Sequence, residues 1–218
     1  TTETNAAYLR ENNFDYTRSL AEFSLKNNVR FIYASSAATY GAGENGYSDD
    51  ESQLETLAPL NLYGASKQWF DLWAKEEGAL KEIVGLKFFN VFGPNEYHKE
   101  DMQSMIRKGF LQVRDSGALN LFKSYKPGYS HGGQERDFLY IRDAVEMTLF
   151  FLDHQDIGGI FNVGSGKARN WNDLASMIFK VMNKKVNINY IEMPESIREQ
   201  YQYHTCAVME KIRSVGYV

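Results

Sequence analysis

Two short apolar runs, Arg30-Phe31-Ile32-Tyr33-Ala34 and Ile83 to Phe89, flank a segment whose apolar residues Trp69, Phe70, Leu72 and Trp73 recur at helical spacing. Short runs without polar alternation read as strands buried on both faces, the kind found in parallel sheets. A helix over about 8–26, with Tyr16, Leu20, Phe23 and Leu25 on its apolar side, precedes the first run and closes near Lys26-Asn27-Asn28. The alternation predicts an α/β chain: a parallel sheet with helices on both faces.

Ligands of such sheets bind beyond the carboxyl ends of the strands. Ser35 and Ser36 end the first run, and Asn90 follows the second. Between them lies Tyr63-Gly64-Ala65-Ser66-Lys67, at the start of a helix running to about Lys81. A Tyr and a Lys four apart share one helix face, so the ammonium is expected to sit near the phenol oxygen and favour its ionised form. Tyr63 is then a proton shuttle near neutral pH, against the plain alternative of a half-buried aromatic with a solvated Lys one turn on. Residues 41–60 are Gly-rich and acidic and are expected to form a surface loop, and Asn90-Val91-Phe92-Gly93-Pro94 a turn.

Beyond Gly93 the pattern is less regular. Helices are expected over Met102–Asp115 and Trp171–Met182, and strands over Leu119–Phe122, 136–141, 160–164 and 186–191, with a polar loop from Lys123 to Glu135. Asp143 lies in the first turn of the helix after residue 141, where a carboxylate suits the helix dipole. These segments predict a smaller, more irregular lobe that closes over the crevice.

A net charge of -4 gives no reason to expect nucleic acid or an anionic membrane as partner, so an anionic ligand needs a local basic cluster. The single cysteine, Cys206, excludes an intrachain disulfide and fits a reducing, cytoplasmic setting. Apolar runs such as Met147–Leu152 are too short to span a bilayer. No metal site is expected: His98, His131, His154 and His204 are scattered and Cys206 has no partner. Gly164-Ser165-Gly166 lacks the spacing of a nucleophile elbow. The chain starts at Thr1 without Met and stops at Gly216-Tyr217-Val218, which reads as a fragment or as a chain with unseen ends.

Taken in order, Ser35-Ser36, Tyr63-Gly64-Ala65-Ser66-Lys67, Phe89-Asn90-Val91-Phe92-Gly93-Pro94 and Arg136-Asp137-Phe138 resemble the extended short-chain dehydrogenase/reductase family. Tyr33 to Gly41, with Ala37-Ala38 where a dehydratase carries an acidic pair, is similar to the sugar-nucleotide epimerase branch that acts on C6 of an ADP-heptose. The similarity continues through His98-Lys99 to Gln200-Tyr201-Gln202. It implies a Rossmann-like doubly wound parallel sheet whose N-terminal part, with its Gly-rich phosphate loop, is missing here, and a smaller α+β substrate lobe. Residues 1–93 are then the C-terminal portion of the NAD(P)-binding domain. Residues 94–218 are mainly the substrate lobe, with segments around 136–165 returning to the first domain.

The resemblance also implies a reaction and its residues. Tightly bound NADP, with NAD not excluded, oxidises the sugar transiently, and the hydride returns on the opposite face of the carbonyl. Tyr63 and Lys99 are the two acid/base groups, Ser36 orients the substrate oxygen, and Lys67 contacts the cofactor ribose. Asn12, Lys67, Val91 and Lys99 are cofactor contacts. Ser36, Asn90, Phe122, Lys123, Ser124, Tyr125, Arg136 and Tyr201 hold the ADP-sugar. The guanidinium of Arg136 suits phosphate oxygens, the alternative being a salt bridge to Asp137 or Asp143.

Asp101 and Lys108 fall at two further substrate positions where the family carries Ser and His. Other departures are Tyr97 for a Gly before His98-Lys99, a longer 125–135 loop, and Thr205-Cys206-Ala207-Val208. Relatives form homo-oligomers, commonly pentamers. Lys99 separates this reading from a UDP- or dTDP-sugar 4-epimerase or dehydratase. Intact Tyr63, Lys67 and Ser36 separate it from a nucleotide-binding protein without catalysis.

Overall fold

The computed structural model describes residues 3–218. The chain enters through a continuous helical stretch: α1 (Ala6–Leu9), a π-helical segment (Arg10–Asp15) and α2 (Tyr16–Lys26). The side chain of Asn5 caps it by accepting from the amide of Tyr8. The helix expected over 8–26 is therefore present but widened at Asn12-Asn13, and π segments of this kind gather at functional sites.

β1 (Ile32–Ser36), α3 (Leu62–Glu76), β2 (Val84–Phe88), β3 (Asn90–Phe92), α4 (Met105–Ser116) and β4 (Leu119–Phe122) follow in order. Then come β5 (Glu135–Tyr140), α5 (Ile141–Asp153), β6 (Gly159–Val163), β7 (Ala168–Asn170), α6 (Trp171–Val181) and β8 (Ile188–Ile191). Two short helices, α7 (Glu195–Arg198) and α8 (Glu210–Ser214), end the fold.

The strands form three small sheets. β1, β2 and β6 are parallel in that order, with Ser36 level with Phe88 and Phe88 with Val163. Side chains alternate across this sheet, so each face takes its own helix layer. Val84 and Leu86 of β2, with Phe161 and Val163 of β6, pack against Ala144, Met147 and Phe151 of α5. Tyr33 of β1 packs on the other face with Ala21 of α2 and Phe70 and Ala74 of α3. A second sheet runs β3-β5-β7, parallel then antiparallel, and β4 pairs in parallel with β8. A separate apolar cluster of Val113, Leu119, Leu121, Ala175 and Phe179 joins α4, β4 and α6.

Several expected boundaries move. α3 stops at Glu76, and Gly78 takes a left-handed φ of 68° before a short 3-10 turn over Ala79–Lys81. Asn90–Phe92, expected as a turn, pairs with β5 from Asn90 opposite Phe138, and three residues are too few to carry a strand period. The 41–60 segment is not simply a surface loop: Tyr47, Asp49, Leu54 and Leu57 are buried. Gln68 of α3 explains part of this, since its amide donates to the carbonyls of Leu54 at 2.9 Å and Leu57 at 3.0 Å. The polar composition had suggested solvent, but one buried amide is enough to draw the segment inward.

Candidate active site

Ser36 ends β1 and caps the 3-10 turn Ala37–Tyr40, its hydroxyl accepting from the amide of Ala38 at 3.1 Å. Tyr63 lies in the first turn of α3, whose N-cap is Asn61, accepting from the amide of Gly64 at 2.9 Å. A Cβ on Gly64 would stand 2.7 Å from the carbonyl oxygen of Ala38, so glycine lets the helix start close against the Ser36 turn. That approach brings the two hydroxyls into one neighbourhood, where Ser36 acts to lower the Tyr63 phenol.

The expected electrostatics need correction. Burial pushes the Tyr63 phenol above its ordinary value, and the nearby Ser36 hydroxyl offsets this only in part. Lys67 does not reverse the shift; its ammonium lies 6.0 Å from the Tyr63 ring centroid. Burial lowers Lys67 in turn, with the charge of Asp71 opposing it. Desolvation disfavours both charged forms, so the pair stands as a phenol that keeps its proton beside an amine that holds its own less firmly.

Arg136 of β5 is the second focus. It is 7% exposed, and its guanidinium lies 5.0 Å over the Tyr201 ring and 5.7 Å over Trp171. Its Nη1 donates to the carbonyl of Glu135 at 2.8 Å, and no carboxylate pairs with it among the described residues. Burial lowers its pKa, while the phenols of Tyr201, Tyr47 and Tyr129 act the other way. The salt bridge to Asp137 or Asp143 does not form. Asp137 instead accepts from the Ser165 amide at 2.7 Å, the Gly166 amide at 2.9 Å and the Ala207 amide at 3.0 Å. A buried guanidinium stacked on aromatics, with no carboxylate beside it among the described residues, is costly to leave unpaired and has the chemistry to take an anion.

A family model described as "NAD dependent epimerase/dehydratase family" matches residues 1–164. The chain belongs to that family. A protein of Nitratidesulfovibrio vulgaris (strain DP4) named ADP-L-glycero-D-manno-heptose-6-epimerase is 52% identical over 216 residues, covering 99% of this chain and 67% of that protein. A Fusobacterium nucleatum protein of the same name is 47% identical, covering 100% of this chain and 68% of the relative. The crystal structure of Helicobacter pylori ADP-L-glycero-D-manno-heptose-6-epimerase superposes with a TM-score of 0.81 at 29% identity, covering 97% of this chain and 61% of that one. The chain thus spans roughly two thirds of these relatives' length.

Within this epimerase/dehydratase chain the other expected site residues divide. Asn90 donates to the Asp137 carbonyl at 3.3 Å and Val91 packs at the edge of the main core. Phe122 meets Tyr201 edge-on at 6.3 Å, and Tyr201 accepts from the Trp171 indole at 3.1 Å, beside Arg136. Lys123 is taken up by Glu192 at 2.5 Å. Tyr125 also bonds Glu192 and lies 4.0 Å beneath Arg198, while the Ser124 amide donates to His131 at 3.0 Å. Lys108 donates to the carbonyl of Asp101 at 2.5 Å, so these two are engaged with each other.

Asn12 is exposed and donates to the carbonyl of Tyr8 in its own helix at 2.8 Å. Its neighbour Asn13 donates to Ser66 at 2.9 Å, and Ser66 donates to the Tyr63 carbonyl at 2.7 Å. The π segment sets which of the two faces α3, and a helical period cannot foresee that.

Lys99 is exposed, in the 3-10 segment Tyr97–Met102, and no contact with Tyr63 is made. What organises its loop is Glu96, which sequence reading missed. This carboxylate, 6% exposed, accepts from the Gly93 amide at 3.1 Å, the Ser104 amide at 2.5 Å and the Ser104 hydroxyl at 2.9 Å, tying together both ends of the loop. Burial alone would raise its pKa, but the bonds from Ser104 and Gly93, with Lys99 nearby, hold it below the usual carboxylate range. A depressed carboxylate contributes stability that is present above its unfolded value and lost as pH falls through the folded one. Glu96→Gln is expected to cost about 1–3 kcal/mol in urea unfolding at neutral pH. That cost should shrink as the pH is lowered below the carboxylate range.

Proposed function

We propose that this chain carries the catalytic and sugar-nucleotide portion of an epimerase that inverts C6 of ADP-D-glycero-D-manno-heptose, supplying a lipopolysaccharide precursor. The family membership, with relatives of this name at 47–52% identity, supports the reaction and substrate. The observation that carries the site reading is the close approach of the Tyr63 helix start to the Ser36 turn, together with a buried, aromatic-stacked Arg136 that no carboxylate pairs among the described residues.

The residues fit a nicotinamide dinucleotide, for which NADP is the proposed form. Lys67, half-buried one turn below Tyr63, has no acceptor among the described residues and suits a ribose diol, and Val91 offers an apolar contact. Bound there, a nicotinamide would supply a reversible hydride acceptor for the sugar carbon. Ser36 holds the sugar oxygen, and Tyr63 exchanges its proton with that oxygen. A phenol kept protonated by burial is set to donate to the oxygen as charge develops there. Lys99 serves the opposite face of the carbonyl. Arg136 holds the diphosphate, between the aromatic walls of Trp171 and Tyr201. The division near residue 93, a homo-oligomeric assembly and a cytoplasmic setting belong to the same proposal; among the described residues no helix is long and apolar enough to cross a membrane.

The test is turnover of a panel of ADP-, UDP- and dTDP-sugars by the full-length protein, followed by proton NMR. ADP-heptose is expected to be converted. Turnover of a UDP- or dTDP-hexose alone would move the chain to another branch of the family. Lys99→Ala is expected to lower kcat by about 10²-fold or more, with ADP binding by calorimetry unchanged.

A further inference from the structure

Behind the Tyr63 face lies a charge pair that the mechanism has not used. Lys87 of β2 and Asp71 of α3 are 2.7 Å apart, and neither side chain has exposed surface. Asp71 follows Lys67 by four residues and Tyr63 by eight, so the three are stacked on one face of α3. Its carboxylate accepts three hydrogen bonds: from the Tyr33 phenol at 2.9 Å, the Ser35 hydroxyl at 2.7 Å and the Lys87 ammonium.

Lys87 also donates to the Thr39 hydroxyl at 2.6 Å and lies 5.1 Å over the Tyr40 ring. The Thr39 hydroxyl in turn donates to the carbonyl of Ser36 at 2.8 Å. One buried pair therefore links the Tyr63 helix, the ends of β1 and β2, and the turn that presents Ser36. A buried ion pair seldom stabilises more than a well-packed apolar pair of the same volume. Stability alone does not account for it.

We infer that Asp71 and Lys87 are positioning residues for proton transfer: Asp71, one turn beyond Lys67, ties the Tyr63 helix to β1 and β2, and Lys87 fixes the Ser36 turn through Thr39. The inference rests on Tyr63 being the proton-transfer residue. The groups that bear on Asp71 and Lys67 are Tyr63 along α3, Tyr33 and Ser35 from β1, Lys87 from β2, and Thr39 and Tyr40 from the following turn, with Glu51 acting on Tyr33. Asp71 is the charge that opposes the effect of burial at Lys67.

The test uses the full-length protein and the double variant Asp71→Asn/Lys87→Met, which removes both charges and leaves neither partner buried alone. Carbon-13 NMR of labelled lysine side chains, with the Lys67 signal assigned by Lys67→Arg, reads the titration directly. The Lys67 midpoint is expected to move down in the double variant. The alkaline limb of the kcat/KM profile should move the same way, with about a tenfold loss of kcat at alkaline pH, the scale typical of an outer partner of a functional group. Lys87→Arg, which keeps the charge and a donor for Thr39, is expected to retain the wild-type limb. A Lys67 midpoint and alkaline limb that stay in place in the double variant would overturn the inference. The NMR titration does not depend on which sugar is turned over, so it separates this inference from the epimerase reading.

Discussion

Replacing Tyr63 with Phe is expected to lower kcat by about 10³- to 10⁴-fold, the upper part of the range for positioned acid/base groups, while ADP affinity stays close to wild type. The variant removes one oxygen and leaves the ring where it is, so Gly64, the Asn61 cap and the packing of α3 should be unaffected. What is lost is the phenol proton that Tyr63 would exchange with the sugar oxygen. The pH dependence gives a second reading. Burial holds the phenol above its ordinary value, so the step in which Tyr63 accepts a proton should gain rate as pH rises, and that rise should disappear in Tyr63→Phe. Turnover by NMR and calorimetric titration with ADP separate this outcome from a folding defect, which would lower both.

Arg136→Met should split binding from stability in opposite directions. A guanidinium making two charge-assisted bonds to phosphate oxygens gains about 1.5–3 kcal/mol for each. Losing both should weaken ADP binding by about 10²- to 10⁴-fold. The unliganded fold, in contrast, now buries a cation that makes one bond to the Glu135 carbonyl and pairs with no carboxylate among the described residues. An apolar chain of similar length against Trp171 and Tyr201 removes that desolvation cost, so the urea midpoint should hold or rise. A purely structural Arg136 would give the reverse, with a falling midpoint and ADP affinity unchanged.

The parts of the site carried by regular periods were legible in the sequence. The strand ending at Ser36, the helix starting near Tyr63 and the sheet that sets them side by side follow from two apolar runs and one helical stripe. Arg136 was legible as a phosphate fork, although only the structure removes its competing partner by committing Asp137 to the Ser165-Gly166 turn. Electrostatics were less legible. The i,i+4 spacing of Tyr63 and Lys67 suggested a lowered phenol pKa, but spacing carries no information on desolvation, which wins here.

Other features were hidden for definite reasons. Asn12 and Asn13 are equivalent to a helical period, and the π segment decides which of them meets α3. Lys87 was visible as a lysine inside an apolar strand, and Asp71 as a carboxylate on the Tyr63 face. Together they could have been read as a buried pair, since a lone charge in either position would be costly. Glu96 could not have been found this way. Its partners are backbone amides at Gly93 and Ser104, and amide direction is set by the loop and not by residue type.

The account rests most directly on inversion at C6 by removal and return of the same hydrogen. The decisive measurement is conversion by the full-length protein of ADP-D-glycero-D-manno-heptose deuterated at C6, in ordinary water, with the product read by NMR and mass spectrometry. The account predicts the L-glycero epimer with its deuterium retained. Recovery of unchanged substrate, or an epimer that has exchanged its deuterium for solvent hydrogen, would contradict it.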